Sequence, residues 1–405
     1  MVKGGRVTTI YEKRPWLKNY PEWVPHDIEL RNETAIGDYV ASAHQKPDAP
    51  AVHYFDESIS YGDIDSFSNS FAAALNDLGV AKGDRVILVL QNIPQFLIGI
   101  YAAWKIGAIV VPLNPMYKEK ELSYFCKDSD AKIFITLEEI AAQLDLSFLE
   151  KTAIEKVITT SPLDFLPDRM NLPQLLSNAQ KKSVPGGIDM LELIHRYQGA
   201  RFNSSGIALE DIAYLTYTSG TTGSPKGAMN THGNIAFNAR VYQAMQRLDD
   251  TDVILGVAPL FHVTGEVAHL AAAALAGIPV VLYYRFDPAE TLRLIERWKV
   301  TTTVASITVY IALMNHPDIA KRDLASFTKA YSGGAPVSEA VVNQFEKLTG
   351  QYLYNVYGMT ETNSPSHIVP CLLYTSDAAD DNRVVGGGGG WGGGAGWGGG
   401  GGGGG

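Results

Sequence analysis

The chain has 405 residues, 46% of them hydrophobic, enough for a sizeable core and, on length alone, for two or three domains. Lys and Arg number 33 against 43 Asp and Glu, a formal net charge of −10, and no basic run is longer than Lys181-Lys182. That balance excludes nucleic acid as a partner, and the charged chain start lacks the apolar core of a signal peptide.

Strand and helix signals alternate from about Ala51. Ala51–Phe55 is β-like, and Tyr61–Leu78 carries apolar residues at helical spacing, closed by Gly79. Arg85–Leu90 is a continuous apolar run of the kind a doubly covered parallel strand needs, followed by a helix over Pro94–Ile106. Ala108–Val111, Ala131–Ile135 and Val157–Thr160 repeat the strand signal, whereas 161–203 reads as surface loops and short helices. Further on, Asp252–Ala258, Ile278–Tyr284, Thr301–Ala305, Lys329–Ser332 and Tyr352–Val356 read as strands. The intervening helices fall at Asn234–Gln246, Thr264–Ala276, Pro288–Lys299, Ile307–Met314 and Ser338–Leu348. This rhythm predicts an α/β fold of parallel sheets with helices on both faces. The most apolar stretches, Val86–Pro112 and Val267–Tyr284, are interrupted by polar residues and proline, so both read as buried strand-and-helix pairs, not membrane spans.

The end of the chain reads differently. From Arg383 to Gly405 only Arg, Val, Gly, Trp and Ala occur, all encoded by GGG or a codon one base from it, and seventeen of the forty glycines lie there. Cys371–Asp380 resembles one reading frame of a sequencing-library adapter. The expectation is a natural domain over 1–370, incomplete at its end, and a non-native, disordered Gly-rich tail over 371–405. Only Cys126 then remains, which leaves no internal disulfide or Cys-ligated metal and favours a reducing compartment.

The chemistry concentrates in Tyr217–Gly227, Tyr-Thr-Ser-Gly-Thr-Thr-Gly-Ser-Pro-Lys-Gly, directly after the apolar run Ile212–Leu215. Gly220, Gly223 and Gly227 would let backbone N–H groups turn toward an anion by taking positive φ. Thr218, Ser219, Thr221, Thr222 and Ser224 add hydroxyls, and Lys226 adds a point charge suited to phosphate. The spacing is neither that of a P-loop nor that of a dinucleotide fingerprint. Downstream stand Pro259-Leu260-Phe261-His262, Ser332-Gly333-Gly334-Ala335-Pro336 and Tyr357-Gly358-Met359-Thr360-Glu361.

These four segments, in this order, resemble the adenylate-forming (AMP-binding) superfamily. The opening Arg14-Pro15-Trp16-Leu17 and Asn114-Pro115-Met116-Tyr117 look most like bacterial long-chain fatty-acid–CoA ligases. The resemblance covers about Trp16 to Pro370 and implies two stacked, helix-covered sheet subdomains with the binding cleft between them. It further implies ATP, Mg²⁺ and CoA, with a fatty acid activated to acyl-AMP. Lys226 and the hydroxyl loop would hold phosphate, Glu361 the metal with Thr218 near it, and Thr360 the α-phosphate. Gly333, Gly334, Ala335, Pro336, Tyr357 and Gly358 would sandwich the adenine. His262, Gly265 and Gly334 would bound the acyl group, while His232 and His269 are read as structural. The cytoplasm, with brief contact at the inner membrane face, is the implied location. Two other readings stand: transfer to a carrier protein or use of an aryl acid, and a non-catalytic nucleotide-binding module. A ribose-gripping Asp and a late Lys, which the family uses beyond the equivalent of Pro370, are expected to be missing, leaving this chain without thioester synthesis.

Overall fold

The computed structural model describes residues 9–29, 31–167, 172–202, 206–218 and 223–371. Among these, fifteen strands form two sheets. In chain order they are β1 (Pro50–Tyr54), β2 (Glu57–Ser60), β3 (Arg85–Val89), β4 (Ile109–Pro112), β5 (Ile133–Leu137), β6 (Lys156–Thr160), β7 (Gly187–Asp189) and β8 (Ile212–Tyr217). There follow β9 (Gly227–Thr231), β10 (Ile254–Leu255), β11 (Val280–Leu282), β12 (Thr302–Ser306), β13 (Lys329–Gly333), β14 (Leu353–Met359) and β15 (Ser364–Ile368).

One sheet runs β15-β14-β13-β12-β10-β11-β1-β2, the other β7-β6-β5-β3-β4-β8-β9. Both are parallel through their centres, as continuous apolar runs such as Val86–Val89 require once helices cover both faces. Each turns antiparallel at an end that carries a motif: β8 pairs with β9, and β14 with β15. The α/β architecture of two helix-covered sheets is therefore the one expected. No helix among the described residues is long and apolar enough to cross a membrane.

Several elements depart from the sequence reading. The expected strand Asp252–Ala258 forms a ladder only at Ile254–Leu255, because the carbonyls of Gly256 and Ala258 accept instead from the Asn92 side-chain amide, at 2.8 and 2.9 Å. The expected helix Thr264–Ala276 begins as a π-helix, Thr264–Ala271, and becomes α-helical only over Ala272–Ala276. Helices Ala35–Gln45 and Glu119–Ser129 went unread, although Thr34 caps the first through the Gly37 N–H at 3.0 Å. Within 161–203 the short helix Met190–Arg196 is of the expected kind, whereas strand β7 adds an ordered element to the expected loops and short helices. Cys371, the first residue of the segment expected to be foreign, is buried and donates its N–H to the Met245 carbonyl at 2.9 Å. The rest of that segment lies outside the described residues.

Candidate active site

A cavity of about 1050 Å³ is lined by residues of all four motif segments, among them Thr218, Lys226, His262, Gly334, Thr360 and Glu361. Its walls come from the ends of β8, β12, β13 and β14, where parallel sheets ordinarily receive ligands.

The first wall is the β8–β9 hairpin. Ser219, Gly220, Thr221 and Thr222 at its tip lie outside the described residues; Thr218, Gly223 and Lys226 line the cavity. The hairpin stems close through the Thr218 N–H, which donates to the Lys226 carbonyl at 2.9 Å. Two side-chain bonds pin it to helix Glu119–Ser129. Tyr124 OH donates to the Pro225 carbonyl at 2.8 Å, and Tyr217 OH to Asp128 Oδ2 at 2.6 Å. Burial, and then the Asp128 bond, push the Tyr217 phenol far above its ordinary pKa. Gly223 and Gly227 do not take the positive φ expected of them. Gly227 is a strand residue opposite Tyr217, and a Cβ there would stand 2.6 Å from Leu215 Cδ1, so a side chain at 227 would push the Leu215 side chain aside.

A second wall is the β14–β15 hairpin with its short 3₁₀ turn Thr360–Thr362. Gly358 is imposed by a bulge: a Cβ would lie 1.6 Å from the Ser364 carbonyl oxygen, where the ladder slips register. Asn363 and Ser364 hold φ of 53° and 86°. Asn238 of helix His232–Met245 donates to the carbonyls of Thr362 and Asn363, at 3.0 and 2.7 Å, and Tyr242 OH shares a 2.8 Å bond with Ser364 Oγ. Thr360 and Glu361 are thereby presented to the cavity, Glu361 exposed. Among the described residues no three His, Cys, Asp or Glu side chains converge into a metal cage. One accessible carboxylate suits a cation that arrives on phosphates, as Mg²⁺ does.

Gly333 and Gly334 line the third wall. Gly334 has φ +80°, the left-handed turn that glycine accepts without strain, and a Cβ on Gly333 would stand 2.9 Å from Val356 Cγ1. Ala335 and Pro336 are exposed beyond them. Tyr357 is 57% exposed and lies near His367, while its strand neighbours Val356 and Gly358 line the cavity.

His262 sits on the floor. Its Nδ1 accepts from the Thr264 N–H at 3.3 Å, which leaves Nε2 as the protonated nitrogen of the neutral ring. Surrounding protein lowers its pKa even though the ring is reached from the open cavity, so it stays neutral at pH 7. Asn92, which the sequence reading counted only as a break in an apolar run, positions this segment. Besides holding Gly256 and Ala258, its Oδ1 accepts from the Leu260 N–H at 3.0 Å. Gly265 does not open space for a ligand: a Cβ there would lie 2.3 Å from the Pro259 carbonyl oxygen. The Ala271–Ala274 run is likewise buried packing. His232 and His269 are buried with pKa values lowered to about 4 by desolvation. Thr216, Tyr242 and Ser364 also line the cavity, and behind Thr216 stands the fully buried Glu266. Nothing in the spacing pointed to them.

Residues 40–388 match the family described as AMP-binding enzyme, a match that runs past the Pro370 boundary read from the sequence. The chain is 34% identical over 365 residues to the long-chain-fatty-acid–CoA ligase of Bacillus subtilis (strain 168), covering 88% of this chain and 65% of that protein. It therefore spans just under two thirds of that relative's length. Two solved structures share the fold. An anthranilate–CoA ligase in complex with anthranoyl-AMP has a TM-score of 0.75 at 22% identity, covering 84% of this chain and 62% of the other. A long-chain-fatty-acid–CoA ligase from Archaeoglobus fulgidus has a TM-score of 0.72 at 24% identity, covering 87% and 69%. The chain belongs to the AMP-binding enzyme family.

Proposed function

We propose that this chain carries the nucleotide- and acyl-binding cleft of an AMP-forming acyl-CoA synthetase. In that reaction a carboxylate attacks the α-phosphate of ATP, pyrophosphate leaves, and the CoA thiol then displaces AMP from the acyl-adenylate. The observation that supports this reading most strongly is the convergence of Lys226, His262, Gly334 and Glu361, from four separate segments, on one cavity.

Two anions must be brought together, so the site has to neutralise phosphate and align the nucleophile. Lys226 and the hydroxyls of Thr218–Ser224 would take the β- and γ-phosphates. Thr360 would donate to the α-phosphate, and Glu361, with Thr218 nearby, would hold Mg²⁺, which shields charge between phosphate oxygens. The Gly333–Pro336 loop and the exposed Tyr357 ring would enclose the adenine. His262, with Nε2–H as a donor, would orient the acyl carboxylate rather than remove a proton. The likeness to the Bacillus subtilis long-chain-fatty-acid–CoA ligase makes a fatty acid the leading substrate class.

The test is pyrophosphate exchange into ATP by the full chain, with and without a fatty-acid panel, alongside ATP titration calorimetry. Acid-dependent exchange, or ATP binding that Lys226→Ala weakens, supports the reading. Absence of both overturns it. Transfer to CoA is then separated from transfer to a carrier protein by detecting which thiol becomes acylated.

A further inference from the structure

Lys226 and His262 line one cavity from different sheets. Lys226 stands at the head of β9 in the seven-stranded sheet, whereas His262 follows β10 of the eight-stranded one. Their spacing depends on what fastens one sheet to the other. Among the described residues one isolated backbone bridge does so. Asn92, three residues past β3, exchanges N–H···O=C bonds of 3.0 Å in both directions with Tyr284, two residues past β11.

The buried Asn92 side chain carries this fastening toward the site. Its two Nδ2 hydrogens go to the carbonyls of Gly256 and Ala258, at 2.8 and 2.9 Å, and its Oδ1 accepts from the Leu260 N–H at 3.0 Å. Partners at alternate positions are those that an added strand would take, so one amide replaces a strand edge just where the β10 ladder has stopped. Gly256 is held from its other side as well: its N–H donates to the Val281 carbonyl at 2.8 Å, and a Cβ there would stand 2.6 Å from Leu282 Cδ2. The chain then turns through the His262 N–H, which donates to the Pro259 carbonyl at 3.1 Å. His262 is thus two residues past the last Asn92 contact, while Asn92 itself is not among the residues that line the cavity. Alanine at 92 would leave two carbonyls and one N–H without this partner, and aspartate would turn a carboxylate on the two carbonyls.

We propose that Asn92 is a positioning residue for the reaction: through the Gly256–Leu260 segment it fixes His262, and with it the acyl carboxylate, against phosphates held from the other sheet. This rests on the adenylation reading. Such a clamp supplies alignment of two reactants and adds nothing to the affinity for ATP alone.

The experiment titrates the full chain by calorimetry with ATP and with dodecanoyl-sulfamoyladenosine, a non-hydrolysable stand-in for the acyl-adenylate that spans both sides of the cleft. Asn92→Ala is expected to weaken the analogue about tenfold or more and ATP less than about twofold. Combined with His262→Ala it adds no further loss, because its effect passes through that ring. Nitrogen NMR of the His262 ring gives a signature independent of ligand: one Nε2–H tautomer in the unaltered chain, and a mixture of tautomers in Asn92→Ala. Asn92→Ser, whose hydroxyl can still donate to one of the two carbonyls, falls between and carries the test should Asn92→Ala not fold. Equal weakening of ATP and analogue, an unchanged analogue affinity, a loss that adds in full to that of His262→Ala, or an Asn92→Ser chain that does not fold overturns the proposal. An unaltered chain that binds ATP but not the analogue overturns this proposal alone. Failure to bind either ligand overturns the adenylation reading, and this proposal with it.

Discussion

The two hairpins that both line the cavity are built alike and held differently. Each ends a largely parallel sheet with one antiparallel pair, and each is pinned by side-chain hydrogen bonds to a neighbouring helix. The β8–β9 loop is held by the Tyr124–Pro225 and Tyr217–Asp128 bonds, with Gly227 accommodating a movable Leu215 side chain. The β14–β15 loop adds a backbone lock: a bulge at Gly358 against the Ser364 carbonyl, and two successive non-glycine residues at positive φ. On the proposed reading, a loop of many hydroxyls and one cation would adapt to phosphates, and a loop that would offer a single carboxylate to a metal gains more from a fixed position.

Glycine substitutions should break this comparison most visibly. Gly358→Ala meets backbone at 1.6 Å and should cost more than ~3 kcal/mol, whereas Gly227→Ala meets the flexible end of Leu215 and should cost about 1 kcal/mol. Urea denaturation of both variants measures the gap. Equal losses would show that the two hairpins are locked alike.

The strand that leads into the first hairpin also has the buried acid behind it. Glu266 titrates near 4.5 when unfolded and at about 8 when folded, so the unfolded chain releases its proton first. Its contribution to stability is full below pH 4.5 and is lost as pH rises toward and through 8, about 3 kcal/mol between pH 5 and pH 8. Glu266→Gln should flatten that slope in denaturation midpoints taken across the range. An unchanged slope would mean that the carboxyl is not desolvated.

The ligand-facing groups sharpen the comparison further. Lys226→Ala should weaken ATP binding about 10- to 100-fold both with and without Mg²⁺, since bonds to charged groups contribute ~1.5–3 kcal/mol. Glu361→Ala should weaken it only when Mg²⁺ is present. Calorimetry in the presence and absence of EDTA reads the difference, and a Glu361→Ala loss that persists in EDTA removes the metal role. The smallest effect belongs to the anchors. Tyr124→Phe should cost about 1 kcal/mol and raise the ATP dissociation constant up to about fivefold, with the β14–β15 turn undisturbed. Amide hydrogen exchange should show added opening confined to the β8–β9 stems.

Local chemistry was legible in the residues wherever a property needs only neighbours in the chain. Apolar runs such as Arg85–Leu90 and the helix ending at Gly79 announce themselves because strand burial and left-handed caps depend on short-range composition. The four segments, taken in order, also carried the family. Their convergence on one cavity required the fold, which brings together ends of strands from two sheets. Only the tertiary structure revealed Asn92 as a clamp between β3 and the His262 segment, because its partners lie more than a hundred and sixty residues away. Gly265 and Gly227 looked like room or flexibility in the sequence. Packing shows them as points where backbone or side chain approaches too closely for a Cβ. Glu266, one acidic letter in an apolar helix, has its pKa raised to about 8 only through burial, and burial is set by everything folded around it.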